Sequence, residues 1–175
     1  MIAIAALGAL KRDAFVSLLG EVYEHSPWVA EAAFERAPFA ARADLHAAME
    51  AAVAGADRPR QLALLRAHPE LAGRDALRGE ITAHSMREQG GSGLLDGPAP
   101  AVARMQDLNR AYADRFGFPF IIAVRGLDRD AILARLEQRL GNGPDAERAE
   151  ALRQVGRIAA LRLEALVADE DRVAD

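Results

Sequence analysis

Apolar positions recur every three or four residues along most of the chain, which is the spacing of helices that bury one face. The first stripe predicts a helix near the N-terminus, and further stripes predict helices over about 40–54, 101–116, 128–140 and 145–168. The first stripe consists of Leu10, Phe15, Leu18, Leu19 and Val22. With three shorter helices added, the pattern predicts an all-α fold. We expect residues 1–175 to form one compact domain of about seven or eight helices.

Proline and capping residues mark the ends of the shorter helices. Ser26 and Pro27 predict a helix start, with the serine as N-cap and the proline at the first helical position. Pro59 opens a helix that runs toward His68, where Pro69 disfavours further helical backbone. We therefore expect His68 to lie at a helix end.

One segment departs from the helical pattern. Residues 118–124 read Phe-Pro-Phe-Ile-Ile-Ala-Val, a run that is rich in aromatic and β-branched side chains. A strand needs a neighbouring strand to pair with, and no other segment of the chain has a strand-like pattern. We therefore expect a buried extended or irregular segment between two helices.

Composition supports a helical protein and argues against some partners. Hydrophobic residues make up 51% of the chain but aromatic residues only 5%, because alanine and leucine supply the surplus. The formal net charge of −4 provides no basic surface for nucleic acid. Arginines alternate with acidic residues along the helices, which is typical of a solvated surface with ion pairs. We expect no nucleic-acid partner.

The chain contains no cysteine, which excludes disulfide scaffolds, thiolate metal sites and cysteine nucleophiles. No apolar run has the length of a membrane span, so we expect no membrane partner. Residues 1–7 are apolar but lack a preceding basic region, which argues against a secretory signal. These features predict a cytoplasmic protein.

Four side chains within about twenty residues suit proton transfer on a small polar molecule. They are the imidazole of His68 and three side chains on one face of a short helix that Thr82 is expected to cap, namely Ser85, Glu88 and Gln89. The more ordinary interpretation is a histidine that caps a helix and a polar, solvated helix face. Glycines on both sides of the short helix favour the functional interpretation.

The other histidines are weaker candidates. His84 lies four residues before Glu88 and the two side chains could share a metal ion, but the HExxH pattern is absent and no third ligand stands out. We interpret His25 and His46 as structural residues within amphipathic helices. Residues 90–93 read Gly-Gly-Ser-Gly and do not form a phosphate loop, because neither a following Lys-Ser/Thr nor a preceding strand is present.

Arg125 follows the apolar run and precedes Gly126. An arginine at the end of a buried segment needs a partner, because an unpaired buried charge is very costly. An internal salt bridge is one interpretation. The other is a planar donor for a substrate carboxylate or ureido carbonyl.

Four ordered stretches that span nearly the whole chain resemble the successive motifs of the OHCU decarboxylases, the 2-oxo-4-hydroxy-4-carboxy-5-ureidoimidazoline decarboxylases. The stretches are 23–29 (YEHSPWV), 65–73 (LRAHPELAG), 85–94 (SMREQGGSGL) and 108–126 (LNRAYADRFGFPFIIAVRG). One small departure is the Gly-Gly-Ser of 90–92, where the family pattern has alanine at one or two positions.

The resemblance implies an all-α homodimer that performs the last step of urate breakdown by the ureide route. The product would be (S)-allantoin with carbon dioxide, and neither a cofactor nor a metal would be needed. The family's catalytic pair matches His68 and Glu88. Its substrate-binding positions match Pro69 (through the backbone), Ser85, Gln89, Phe120, Ile122 and Arg125.

The chemistry fits this assignment. The substrate's conjugated ring C=N can accept the electron pair left by decarboxylation, which makes a separate electron sink unnecessary. We hypothesise that His68 and Glu88 form an acid–base pair that polarises the substrate and returns a proton stereospecifically. Three alternatives stay open: a family member with a changed ureido or hydantoin substrate, a non-catalytic helical interaction module, and a metal hydrolase.

Overall fold

The structure is a computed structural model and describes residues 1–71 and 99–169. The predicted short helix that carries Ser85, Glu88 and Gln89 lies outside these residues, as do His84 and the glycines of 90–93.

Helices dominate the described residues, which confirms the all-α prediction. Eight helices occur there, and a two-stranded parallel sheet pairs Ile2 with Val167 and Ala3 with Ala168. In chain order the elements are β1 Ile2–Ala3, α1 Ile4–Leu7, α2 Arg12–Leu19, α3 Trp28–Phe34, α4 Arg42–Gly55, α5 Arg58–Arg66, α6 Ala99–Phe116, α7 Arg129–Leu140, α8 Pro144–Leu166 and β2 Val167–Ala168.

The chain divides into two compact units, and α8 contributes to both. Unit 1 comprises Met1–Ala67 and Gly156–Asp175, and unit 2 comprises His68–Val155. The single-domain organisation of the chain stays a prediction.

Unit 1 is a helical cluster in which α3 contacts both α2 and α4. Its core is formed by the apolar faces of these helices, where Phe15 meets the Phe34 ring edge-on at 5.3 Å between centroids. A buried ion pair joins Glu24, in the turn before α3, to Arg162 of α8, with 2.8 Å between nitrogen and oxygen. The same guanidinium donates hydrogen bonds to the carbonyl oxygens of Glu21 and Val22.

Unit 2 is built around α6, which contacts α7. Residues 119–124 have no regular secondary structure, and their side chains are largely buried. This confirms the prediction of a buried irregular segment. Gly117 ends α6 with φ of 77°, a backbone conformation that favours glycine, and its N–H donates to the carbonyl oxygen of Ala113.

The helix ends follow the capping signals in part. The helix predicted to begin near residue 128 is capped by Asp128, whose side chain accepts a hydrogen bond from the Ala131 N–H at 2.8 Å. The helix α3 begins one residue later than predicted, with Pro27 rather than Ser26 at the N-cap position. The predicted end of α8 near residue 168 was also wrong, since Val167 and Ala168 leave the helix to pair with β1.

The arginines do not all lie on a solvated surface. Exposed pairs such as Arg12 with Glu31 and Arg104 with Glu137 follow the expectation. Arg139 and Arg162, however, are buried with glutamate partners, because each lies on the core face of its helix. Among the residues that the structure describes, no helix combines the length and the hydrophobicity that crossing a bilayer requires.

Candidate active site

His68 lies just beyond a helix end, as predicted. The helix α5 ends at Arg66, and Pro69 follows the histidine directly. Proline disfavours helical backbone at the residue before it, so the chain leaves the helix at this point. The His68 side chain is buried, and the histidine is the first residue of unit 2.

The backbone just after His68 is tied to α6. Asn109 of this helix is buried, and its Nδ2 donates a hydrogen bond to the carbonyl oxygen of Leu71 at 2.7 Å. The contact fixes the chain three residues beyond the histidine. Asn109 occupies a core position of α6, whereas Ala111, two residues further along the helix, is exposed.

The same helix contacts the irregular segment. Tyr112 lies three residues after Asn109, which places both side chains on one face of α6. Its ring meets Phe120 edge-on at 5.3 Å between centroids and Phe118 at 5.9 Å. One helix face therefore contacts both the His68–Leu71 segment and the segment that contains Phe120 and Ile122.

Two helix side chains bind the backbone of the irregular segment. Arg139 Nη1 of α7 donates to the carbonyl oxygen of Ile121 at 2.6 Å. Gln154 Oε1 of α8 accepts a hydrogen bond from the Ala123 N–H at 3.1 Å. Buried backbone groups need such partners when no neighbouring strand supplies them. The two contacts lie on either side of Ile122.

Arg139 belongs to a buried polar cluster. Glu147 of α8 accepts from Arg139 Nε at 2.8 Å and Nη2 at 2.5 Å, and from Asn142 Nδ2 at 2.6 Å. The Tyr112 hydroxyl also donates to Glu147. Burial, together with this hydrogen bond, raises the pKa of Tyr112 well above its ordinary value. We name these four residues, Tyr112, Arg139, Asn142 and Glu147, the Glu147 cluster.

Arg125 lies in the turn that ends the irregular segment. Its side chain is exposed, so the cost of an unpaired buried charge does not apply to it. The turn is closed by a hydrogen bond of 3.0 Å from the Leu127 N–H to the Val124 carbonyl oxygen, and Gly126 has φ of 79°. The chain leaves the core at this turn, which is why Arg125 reaches solvent.

The structure places five of the eight predicted site residues. His68, Pro69, Phe120, Ile122 and Arg125 all belong to unit 2. Phe120 and Ile122 are buried in the core of this unit, whereas Pro69 is partly exposed. The other three, Ser85, Glu88 and Gln89, lie outside the described residues, so their assignment stays a prediction.

His25 and His46, the other histidines that the structure describes, have no part in these contacts. His25 lies in an exposed turn with φ of 45°, not within a helix as expected. His46 does lie in α4, and 2.9 Å separates its Nε2 from the Gly156 carbonyl oxygen. Within 1–71 and 99–169, no three acidic or histidine side chains are grouped as a metal site would require.

Sequence reasoning assigned no role to Asn109, Arg139, Glu147 or Gln154. A signal for two of them is present in the sequence. Asn109 lies between the buried Met105 and Tyr112, and Arg139 follows Ile132 and Leu136 at helical spacing. A polar residue within an apolar stripe indicates a buried hydrogen-bonding role.

The chain is similar to known proteins over most of its length. Residues 8–164 match the family model described as OHCU decarboxylase. A 2-oxo-4-hydroxy-4-carboxy-5-ureidoimidazoline decarboxylase of Haloferax volcanii is 44% identical over 88% of this chain and 89% of its own. The protein of that name from Amia calva is 41% identical over 92% of each chain. A crystal structure of (S)-allantoin synthase superposes with a TM-score of 0.75 and 31% identity, over 95% of this chain and 54% of that one.

Proposed function

The chain belongs to the OHCU decarboxylase family, and we propose that it converts 2-oxo-4-hydroxy-4-carboxy-5-ureidoimidazoline to (S)-allantoin and carbon dioxide in urate breakdown. The names of its relatives and the family match over most of the chain support this activity. The structural observation that supports it best is the face of α6. There Asn109 holds the backbone after His68, and Tyr112 packs against Phe120.

The reaction needs a correctly positioned substrate and the delivery of one proton, and it does not need a cofactor. Loss of carbon dioxide leaves an electron pair that the conjugated ring C=N of the substrate accepts. A proton must then reach one face of the ring, because the product is a single enantiomer. A positioned acid–base group contributes about 10²–10⁴-fold to such a step. The proposed enzyme uses neither a cofactor nor a metal.

His68 and Glu88 are the proposed acid–base pair. His68 suits this role because its backbone is fixed on both sides, by the end of α5 before it and by the Asn109 contact with Leu71 after it. A side chain on a fixed backbone can hold one orientation toward a ring, which stereospecific proton delivery requires. Glu88 is assigned from the family motif alone.

The remaining site residues would bind the substrate. Ser85 and Gln89 would hydrogen-bond the ureido and ring amides, and the Pro69 backbone would contact the ring. Phe120 and Ile122 are buried, so they would act by fixing the path of the backbone that lines the site. Exposed Arg125 would donate to a carbonyl oxygen rather than grip the carboxylate, because tight ground-state binding of the leaving group slows its loss.

We also propose a cytoplasmic homodimer that binds its small substrate without a nucleic-acid or membrane partner. The net charge of −4 supports the absence of a nucleic-acid partner. The family resemblance supports the dimer, and size-exclusion chromatography with light scattering would measure it.

The test is circular dichroism of allantoin formed from substrate generated in place from urate, with urate oxidase and hydroxyisourate hydrolase. We expect rapid, optically active product with the unmodified chain. His68→Ala and Glu88→Ala should each lower kcat by about 10²-fold or more while remaining folded. The matched control is His25→Asn, because His25 is exposed and asparagine tolerates its positive φ.

Slow, racemic product at the spontaneous rate would refute the proposal. Binding of allantoin analogues without turnover would then favour a changed substrate. A His68→Ala variant with full activity would refute the acid–base assignment while leaving the family activity intact.

A further inference from the structure

Among the described residues, no strand pairs with the backbone of the segment 118–125. In a sheet, neighbouring strands would hold its N–H and C=O groups at regular intervals. Here side chains from two helices hold it instead, Arg139 at the Ile121 carbonyl oxygen and Gln154 at the Ala123 N–H. Among the described residues, these two side-chain hydrogen bonds hold the backbone of residues 121–123.

The two contacts differ in whether they can be removed by mutation without disturbing the Glu147 cluster. Arg139 is part of the Glu147 cluster, so removing it leaves a buried carboxylate without its cation. Gln154 lies outside that cluster. Its Nε2 donates to Glu150 Oε1, one turn earlier on α8, at 2.7 Å, and this bond turns its carbonyl oxygen toward Ala123.

Glu150 is in turn bound by a side chain on the protein surface. Arg153 pairs with it, and only about a fifth of the Glu150 side chain is exposed. Burial alone would raise the pKa of Glu150, but the hydrogen bonds from Gln154 and Arg153 and the charge of Arg153 hold it below its ordinary value. Arg153, Glu150 and Gln154 thus form a chain of contacts that ends at the Ala123 N–H.

We propose that Gln154 is a positioning residue that sets the direction of the backbone from Ile122 to Arg125, and thereby the affinity for substrate. The assignment rests on the proposed function of this segment. Ala123 is fixed by Gln154, and the next residue, Val124, begins the turn that Leu127 closes. Arg125 lies within that turn. The backbone position of Arg125, from which its side chain extends, therefore depends on the Ala123 contact on one side and the turn on the other.

The test compares two buried glutamines. Gln154→Met keeps the length of the side chain but cannot accept from Ala123. We expect KM to rise about tenfold while kcat stays within about threefold, because binding is weakened and the acid–base pair is untouched. Hydrogen exchange of the Ala123 amide, followed by NMR, should accelerate in this variant and so report the broken contact directly.

Gln61→Met is the matched control. Gln61 is also buried, and its Nε2 donates to the Val53 carbonyl oxygen at 3.0 Å, but both residues lie in unit 1. Its loss should lower stability as much as the loss of Gln154 does, with KM within about twofold of the original value. A merely structural role for Gln154 would make the two variants alike in KM.

Exchanging the glutamine and the glutamate of this pair should restore the contact with Ala123. In the double variant Gln154→Glu with Glu150→Gln, the new glutamate can accept from both Ala123 and the new glutamine, which restores the contact. We expect KM to return to within about twofold of the original value. If the unmodified chain turns substrate over and Gln154→Met exchanges faster at Ala123 with KM unchanged, the inference is wrong. An unmodified chain without turnover would instead refute the proposed function.

Discussion

Among the residues that the structure describes, each unit contains one buried arginine–glutamate pair, and the two arginines hydrogen-bond different backbone segments. In unit 1, Arg162 and Glu24 have 2% and 1% of their side chains exposed, and Arg162 also donates to carbonyl oxygens in the turn before α3. In unit 2, Arg139 and Glu147 have 7% and 0% exposed, and Arg139 also donates to Ile121. Of the contacts among described residues, it is the second pair that binds the segment 118–125, which contains Phe120, Ile122 and Arg125.

The comparison shows what a buried arginine contributes besides charge. A guanidinium has five N–H donors, and a carboxylate uses only some of them. The remaining donors can satisfy carbonyl oxygens of non-helical backbone that has no strand partner. The ion pair by itself is weak support for stability, because desolvation offsets most of the attraction. The same arrangement therefore shapes a turn in one unit and the proposed site in the other.

The largest expected effect comes from removing one partner of each pair. Glu147→Gln and Glu24→Gln each leave an arginine cation buried without its counter-charge, which typically costs about 3–5 kcal/mol. Urea denaturation would measure both losses. Assayed where both variants are folded, only Glu147→Gln should raise KM. An equal rise in KM for Glu24→Gln would contradict the functional difference between the pairs.

A smaller effect is expected from removing the hydroxyl of each tyrosine. Each unit contains one of the two tyrosines. Tyr112→Phe removes a donor to Glu147 and should lower the free energy of unfolding by about 1–3 kcal/mol. The buried hydroxyl of Tyr23 has no hydrogen-bond partner among residues 1–71 and 99–169. Tyr23→Phe should therefore be neutral or stabilising by about 1 kcal/mol. Thermal denaturation of both variants would check this contrast, and a large loss in Tyr23→Phe would contradict it.

The last expected effect is confined to high pH, where the stability of the fold should change. Burial, first of all, raises the pKa of both Tyr23 and Tyr112 above the ordinary 10.0. Below pH 10.0 both states keep the phenol protons, so the tyrosines cause no pH dependence there. Above it the unfolded chain releases them first, and stability should fall by up to about 1.4 kcal/mol per pH unit for each tyrosine.

Tyrosinate absorbance and circular dichroism, measured together as the pH is raised, would test this predicted loss of stability. We expect tyrosinate to form only together with loss of helix. Tyrosinate in a chain that is still helical near pH 10 would show that the hydroxyls are less buried than the structure indicates.

The sequence was sufficient for most of the described helices and for one irregular segment, although no pattern predicted the short helix α1. Leu45, Ala48 and Met49 of α4 show the spacing of a buried helix face, and all three are buried. The segment 118–124 was expected to be buried and irregular because no other run had a strand-like pattern, and it is. His68 was expected at a helix end because Pro69 follows it, and it lies there. All of these follow from local spacing and backbone geometry.

Local sequence patterns did not predict contacts between residues that are distant in the chain. The β1–β2 pairing joins residues about as far apart as the chain allows, and two-residue strands have no recognisable pattern. Alternating charges predicted solvated arginines, yet Arg139 and Arg162 are buried. Charge along a helix does not show which face another segment will cover.

By itself the sequence determined most of the described helices, the helix end at His68, the irregular backbone around Phe120 and the motifs of the OHCU decarboxylase family. Only the tertiary structure decided which side chains hold that backbone: Asn109 at Leu71, Arg139 at Ile121 and Gln154 at Ala123. The physical reason is one of range. Helix formation depends on residues within a turn or two of one another, whereas an unpaired N–H or C=O group is satisfied by whichever side chain the packing brings near.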